Sequence, residues 1–208
     1  MLSLSQLVAS YGSFIVGTVI ALESIGLPLP GEAILLIAAV YAGETRDLNI
    51  WTVIIAAALG GIIGNIAAYV VGRELGTRLL LRYGSHIGLT EGRIKIGRYL
   101  FHRQGITVVV TARFIAVARS VVGLLAGANR MAWRHFLFAT VAGSVSWATL
   151  YGGAAYMLGH HVHGLMGPAG GALAVVAVIA ILIVGRTIAR REQELQEAAE
   201  KAFPGPLH

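Results

Sequence analysis

Long apolar stretches alternate with short polar or basic ones along this chain, and they carry the first prediction. They cover residues 11–22, 33–42, 51–71, 106–128, 136–158 and 169–185. A bilayer-crossing α-helix needs about 20 apolar residues. Stretches 51–71 and 136–158 meet that length without a charge, and each carries Trp or Tyr near an end, where interfacial anchors sit. Stretch 169–185 lies between Pro168 and the basic residues Arg186, Arg190 and Arg191, which predicts a final span with a stop.

The remaining stretches are interrupted. Glu23 and the run Pro28-Leu29-Pro30-Gly31-Glu32 divide two apolar pieces, each short for a span. Proline inside a helix removes a hydrogen bond and clashes with the preceding turn, so a re-entrant hairpin after an N-terminal helix is predicted there. Arg113 and Arg119 interrupt residues 106–128. Each arginine at the bilayer centre costs about 2.5–3.5 kcal/mol on insertion scales, which argues against a simple lipid-facing helix.

Charge orients these elements. The connection from Arg73 to Gly105 contains Arg73, Arg78, Arg82, Arg93, Lys95, Arg98 and Arg103 against Glu74 and Glu91, and an excess of basic residues marks a cytoplasmic connection. Leu75, Leu79, Leu80 and Leu81 beside those cations suggest an amphipathic helix lying in the interface. Residues 51–71 then run inward and residues 43–50 lie outside. The Glu-bearing hairpin enters from outside, the Arg-bearing one from inside, and the C-terminus is cytoplasmic. The fold predicted is all-α and membrane-integral: about four transmembrane helices, two oppositely oriented re-entrant hairpins and an interfacial helix. Residues 1–190 form the membrane domain and 191–208 a cytoplasmic tail. Opposed broken segments resemble an inverted repeat, the arrangement that places a transport site near the midplane.

Composition agrees. The 208 residues are 56% hydrophobic and only 12% charged, against about 25% charged in soluble domains, and the mean hydropathy is +0.75. The absence of cysteine excludes disulfides, thiolate metal sites and a cysteine nucleophile. No Lys or Arg precedes the apolar run starting near Tyr11, so the first segment is read as retained rather than as a signal peptide. The net charge of +6 falls between apolar segments, which suits anionic lipid rather than nucleic acid.

The residues able to carry chemistry are few. A carboxyl in a low-dielectric cleft binds a proton more readily than one in water, which suits Glu23 and Glu32 to proton or ion coupling. Arg113 and Arg119 lie about 240° apart on a regular helix, so only a break between them would present both to one ligand. Guanidinium groups hold phosphate bidentately and keep their charge when buried, making a lipid phosphate headgroup their natural partner. The alternative is that the arginines pair with Glu23 and Glu32 for structural reasons. Pro28, Pro30 and Gly31 shape the hairpin, while Gly64, Asn65, Tyr69 and Gly127 suit close helix packing, with Asn65 bonding across the interface. These small-residue faces permit a homodimer. His160, His161 and His163 lack an acidic partner and are read as a solvated turn, so neither metal nor cofactor is expected. Ser144 and Ser146 have no His and Asp arrangement, and no enzymatic activity is expected.

The chain resembles the DedA (VTT-domain) family over roughly residues 23–147. The resemblance rests on Glu23 with Pro28-Leu29-Pro30-Gly31-Glu32, on Gly64, Tyr69, Gly72-Arg73 and Gly76, and on Arg113-Phe114-Ile115, Arg119, Ala126-Gly127, Met131, Phe136, Gly143 and Trp147. It implies a plasma-membrane protein with two facing re-entrant hairpins whose membrane acidic residues and arginine pair are required for function. It also implies transport or scrambling of phospholipid or undecaprenyl phosphate, often linked to the proton motive force. Where the family has Pro-Gly between its arginines, Ala116 and Val117 stand here, and Thr140 replaces a common Asn. Whether the chain breaks between Arg113 and Arg119 is therefore left open. The function expected is a flippase or scramblase for anionic lipid headgroups, with a proton-coupled small-ion or drug transporter as the alternative.

Overall fold

A computed structural model describes residues 4–45, 47–83, 99, 101 and 105–160. Within them every regular element is an α-helix: α1 (Leu4–Ile25), α2 (Gly31–Thr45), α3 (Ile50–Tyr83), α4 (residues 105–112), α5 (Ala116–Ala128) and α6 (Trp133–His160). The expected last span at 169–185, the tail and the connection at 84–98 lie outside the described residues.

The first predicted break forms where the prolines require it. α1 closes on Gly26 at φ 117°, with the N–H groups of Gly26 and Leu27 donating to the carbonyls of Glu23 and Leu22 at 3.0 and 3.3 Å. This is the Schellman ending, in which glycine adopts a left-handed conformation at no steric cost. Pro28 and Pro30 hold the next residues out of a helix, until the Pro30 carbonyl accepts the Ile34 N–H at 3.1 Å and α2 begins. α3 starts on Asn49, whose Oδ1 accepts the Trp51 N–H at 2.8 Å as an N-cap.

The second break forms without Pro-Gly. At the end of α4 the N–H groups of Arg113, Phe114 and Ile115 turn to the carbonyls three residues back, at 3.4, 3.1 and 3.1 Å, the tighter 3₁₀ pattern of a closing helix. Ile115 is extended at φ −115° and ψ 115°, and α5 starts at Ala116.

α3 is the spine. Its segment Ile50–Glu74, 25 residues with hydropathy 2.1, is the one described helix long and apolar enough to cross a membrane. α6 has the length at 28 residues, but Gly143, Ser144, Ser146, Thr149 and the Gly152-Gly153 pair dilute its apolar character. In one respect the structure departs from expectation. Residues 75–83, read as part of an interfacial helix, continue α3 unbroken to Tyr83, because Gly72 and Gly76 are tolerated within a helix and no proline interrupts it.

Glycines set how closely the helices approach. A Cβ on Gly60 would lie 2.1 Å from the carbonyl oxygen of Gly17, and one on Gly64 would lie 2.2 Å from that of Ala21, so α1 runs alongside α3 in the same direction. Gly127 meets the Tyr69 carbonyl oxygen at 2.1 Å and Gly123 meets that of Asn65 at 2.9 Å by the same measure, which sets α5 in that direction too. α2 packs on α6 through Gly43 against Tyr156 and Gly159 against Val40. The two bends consequently reach the same level of α3: Ser24 packs on Gly64, and Arg113 packs on Gly61. Val16, Ile20, Leu35, Val53 and Trp147 fill the core on one side of that level, and Tyr69, Val109, Val122 and Phe136 fill it on the other.

The Gly60→Val substitution is expected to lower the thermal midpoint in detergent, corresponding to about 1–3 kcal/mol of overpacking. Gly153→Ala, which meets nothing within 4 Å, is expected to leave it unchanged or raise it. Equal melting of Gly60→Val and wild type would show that α1 does not rest on α3 here.

Candidate functional site

Between the two bends lies a cluster of four ionisable side chains. Glu23 stands at the last turn of α1 and Glu32 at the first turn of α2, so the Pro28/Pro30 break brings together two groups that a continuous helix would separate. Arg119, in the first turn of α5, reaches both. Its Nη2 donates to Glu23 Oε1 at 2.7 Å and its Nη1 to Glu32 Oε2 at 2.9 Å. The Arg119 and Glu23 side chains are 7% and 10% exposed, whereas Glu32 is 33% exposed; the cluster is closed except on the Glu32 side. The face of the Arg119 guanidinium lies 5.1 Å from the ring centroid of Trp147 on α6, within cation–π range.

Arg113 sits at the second bend and is 2% exposed. It has no carboxylate partner among the described residues. Its Nη2 donates to Ser144 Oγ in a short contact, and Ser144 donates onward to the Thr140 carbonyl at 2.6 Å. Room for this guanidinium exists because Gly61 has no side chain: a Cβ there would lie 2.0 Å from Arg113 Nη2. Gly31 does the same for Glu23, whose Oε2 would lie 2.2 Å from a Cβ.

Glu23, Glu32 and Arg119 thus come together, with Arg113 beside them on the far side of the bend. The pairing of Arg119 with both carboxylates matches the structural alternative considered for the arginines, while Arg113 is left for another partner. One expectation needs correction. Asn65 is fully buried, yet neither its Oδ1 nor its Nδ2 has a hydrogen-bond partner among the described residues, so the expected bond across the interface to α5 is not made. Its side chain faces Gly123 on α5, which offers no side-chain donor or acceptor. Arg113 Nε, Arg119 Nε, the Thr140 hydroxyl and Trp147 Nε1 are also buried without a partner among the described residues. Such groups normally cost about 1–3 kcal/mol each, and their concentration around the charges marks this as a polar site rather than ordinary core.

Sequence reading missed Gly61 and the anchoring role of Ser144. The available signals were the doubled glycine at Gly60-Gly61 and the spacing of Thr140 and Ser144 by one helical turn. Of the three histidines, only His160 falls within the described residues.

The described residues are thus helical throughout their regular elements, with one helix long and apolar enough to cross a membrane and an internal polar site at two helix breaks. The VTT domain matches residues 29–157. An uncharacterised membrane protein of Mycobacterium tuberculosis is 39% identical over 139 residues, covering 64% of this chain and 63% of the relative. The chain therefore spans somewhat less than two thirds of that relative's length. An uncharacterised membrane protein of Synechocystis is 35% identical over 160 residues, covering 77% and 73% of the two chains. The protein DedA of Escherichia coli is 29% identical over 163 residues, covering 75% and 74%. The chain belongs to the DedA (VTT-domain) family of membrane proteins. No solved structure matches it.

Arg119→Ala leaves two carboxylates in the cleft without their cation and is expected to destabilise the fold by about 3–5 kcal/mol. The triple variant Arg119→Ala/Glu23→Gln/Glu32→Gln is expected to recover much of that loss. Chemical or thermal unfolding in detergent compares the two, and a triple variant less stable than the single one would show that the charges do not act as a unit.

Proposed function

We propose that this protein is a lipid carrier, a flippase or scramblase that moves anionic headgroups such as undecaprenyl phosphate or phospholipid across the plasma membrane, with protons as the coupling ion. The observation that carries the proposal is the unequal pairing of the two arginines: Arg119 holds both carboxylates, while Arg113 holds only a serine hydroxyl among the described residues. A phosphate entering on the partly exposed Glu32 side would find Arg113 without a directly bonded carboxylate among the described residues. Protonating Glu23 and Glu32 removes the charges to which Arg119 is bonded and frees a second guanidinium for the headgroup. Loss of those protons restores the carboxylates as competitors and expels the phosphate. Buried donors without partners beside the arginines supply further bonds to an anion.

The topology proposed for this role follows the positive-inside rule. α3 passes from outside to inside, the α1–α2 pair enters from outside, the α4–α5 pair enters from inside, and the C-terminus is cytoplasmic. The two bends at one level of α3 support the reading of both pairs as re-entrant hairpins meeting near the midplane. Ser144 is bonded to Arg113 and to the Thr140 carbonyl, contacts that fit an anchor for the guanidinium of a carrier site.

A second reading, a proton-coupled small-ion or drug transporter, is favoured by the cluster's internal balance: Arg119 already meets two carboxylates, so the site can relay protons without an anionic lipid. Reconstitution distinguishes the two. Labelled undecaprenyl phosphate and phosphatidylethanolamine are placed in proteoliposomes with and without a pH gradient, and headgroup accessibility is followed for wild type and for Arg113→Ala/Arg119→Ala. Movement that needs the arginines and follows the gradient is expected; gradient-independent movement would identify a scramblase, and movement of neither lipid would favour the small-ion transporter. Gly61→Ala, which displaces the end of a flexible side chain rather than backbone, is expected to slow lipid movement severalfold while lowering the thermal midpoint little. A wild-type rate in that variant would remove Arg113 from the mechanism.

A further inference from the structure

A second polar site lies away from the buried cluster, at the Glu74 end of the apolar segment of α3. There α3, the residues after α5 and the start of α6 line an open cavity of about 380 Å³, bordered among others by Tyr69, Arg73, Glu74, Arg130 and Trp133. This volume is within the range of small-molecule sites.

Of the two cations of this cavity, Arg73 is held by its side chain and Arg130 by its backbone. Arg73 Nη1 donates to the Tyr69 hydroxyl at 2.7 Å, and the guanidinium lies 5.9 Å from the Tyr69 ring centroid. Tyr69 is itself fixed. Its hydroxyl donates to the Met131 carbonyl at 2.5 Å, and its ring stacks on Phe136 at 4.3 Å and tilts against Trp133 at 5.3 Å. A guanidinium anchored in this way loses little further freedom on meeting a ligand.

Arg130 is more informative because its backbone is unusual. α5 ends in a second Schellman turn, with the Arg130 N–H on the Gly127 carbonyl at 2.9 Å and the Met131 N–H on the Ala126 carbonyl at 3.0 Å. The residue at this position takes a left-handed conformation, which glycine fills without strain. The first bend uses Gly26 for the same purpose at φ 117°, whereas here Arg130 sits at φ 51°, the one non-glycine residue with positive φ among those described. Closing the helix needs no side chain at this position. The strain therefore points to work done by the side chain, and Arg130 lines the cavity together with Arg73.

We infer that this cavity binds the phosphate group of an anionic lipid headgroup at the membrane surface. Two guanidinium groups outweigh the single carboxylate of Glu74, and planar N–H forks match phosphate oxygens. Trp133, 42% exposed at the rim, is the residue type that anchors at the level of lipid headgroups, which ties the site to lipid. The site is separate from the carrier function proposed above, because it requires headgroup docking at one surface and no movement across the membrane.

The test measures binding. Full-length protein in uncharged detergent is titrated with dioctanoyl phosphatidic acid, with dioctanoylglycerol and with inorganic phosphate, and bound ligand is counted by native mass spectrometry. Wild type is expected to bind the phosphatidic acid at least about tenfold more tightly than dioctanoylglycerol, and Arg73→Gln or Arg130→Gly to lose about tenfold of that affinity, as expected for one charge-assisted bond. Arg130→Gly separates binding from folding, since glycine relieves the left-handed backbone and the thermal midpoint should hold or rise. Displacement of the lipid by millimolar inorganic phosphate would show that the site takes free phosphate as well; failure to displace it would show that the lipid body is needed. Wild-type affinity in Arg130→Gly, or equal binding of dioctanoylglycerol, would overturn the inference. Neither result depends on whether lipid crosses the membrane in proteoliposomes.

Discussion

Arg119 is bonded to two carboxylates that belong to different helices on either side of a bend, and the rest of the architecture follows from that requirement. Taking one arginine and two glutamates out of water carries a desolvation cost that only close geometry offsets. Glu23 must end α1, Glu32 must begin α2, and Arg119 must lie a single turn inside α5 for the three to meet. The bends at Gly26–Pro30 and at 113–115 are the two places where the backbone yields to make this possible. Trp147 then covers the guanidinium face, and Gly31 and Gly61 give the charged ends the room they occupy.

Around this centre the helices approach through bare backbone. Gly17 against Gly60, Gly64 against Ala21 and Gly127 against Tyr69 leave no space for a methyl group, so α1 and α5 are fixed along α3 by shape rather than by large side chains. In a membrane, where lipid tails are as apolar as leucine, such small-residue contacts are a principal means of holding helices together. Polar atoms without partners among the described residues occur both in these seams, on Asn65 facing Gly123, and at the charges, on Trp147, Thr140 and both arginines. Tight apolar seams and an unsatisfied polar interior thus sit side by side, an arrangement suited to a rigid frame around a site that exchanges partners.

Much of this was legible in the sequence, for physical reasons that differ from residue to residue. Pro28 and Pro30 announce their break because proline lacks an N–H and fixes φ, and a carboxylate on each side of it announces a shared partner. The second break was announced only by the charges of Arg113 and Arg119 within an apolar stretch, and its exact place was not legible: Ala116 and Val117 are ordinary helix residues, and the turn at Arg113–Ile115 closes through backbone hydrogen bonds and an extended Ile115. Asn65 was placed correctly at a helix interface but given a bond it does not make, because hydrogen-bond partners depend on the facing residue, here Gly123. The continuation of α3 through residues 75–83 was missed since leucines beside arginines fit an interfacial helix as well as the extension of a long one. Ser144 was weighed as a nucleophile, and its actual role as the anchor of Arg113 depends on a contact 31 residues distant in sequence.

The distances along the chain within the ion cluster have a consequence for biogenesis. Arg119 lies 96 residues after Glu23 and 87 after Glu32, so during synthesis both carboxylates leave the ribosome long before their cation exists. Until α5 arrives, the α1–α2 pair is an acidic insertion intermediate with no internal counter-charge, and it becomes electrically complete only when the arginine-bearing pair enters. Assembly of the cluster is thereby tied to synthesis as far as α5: a product that stops before Arg119 keeps two carboxylates without the cation that pairs them.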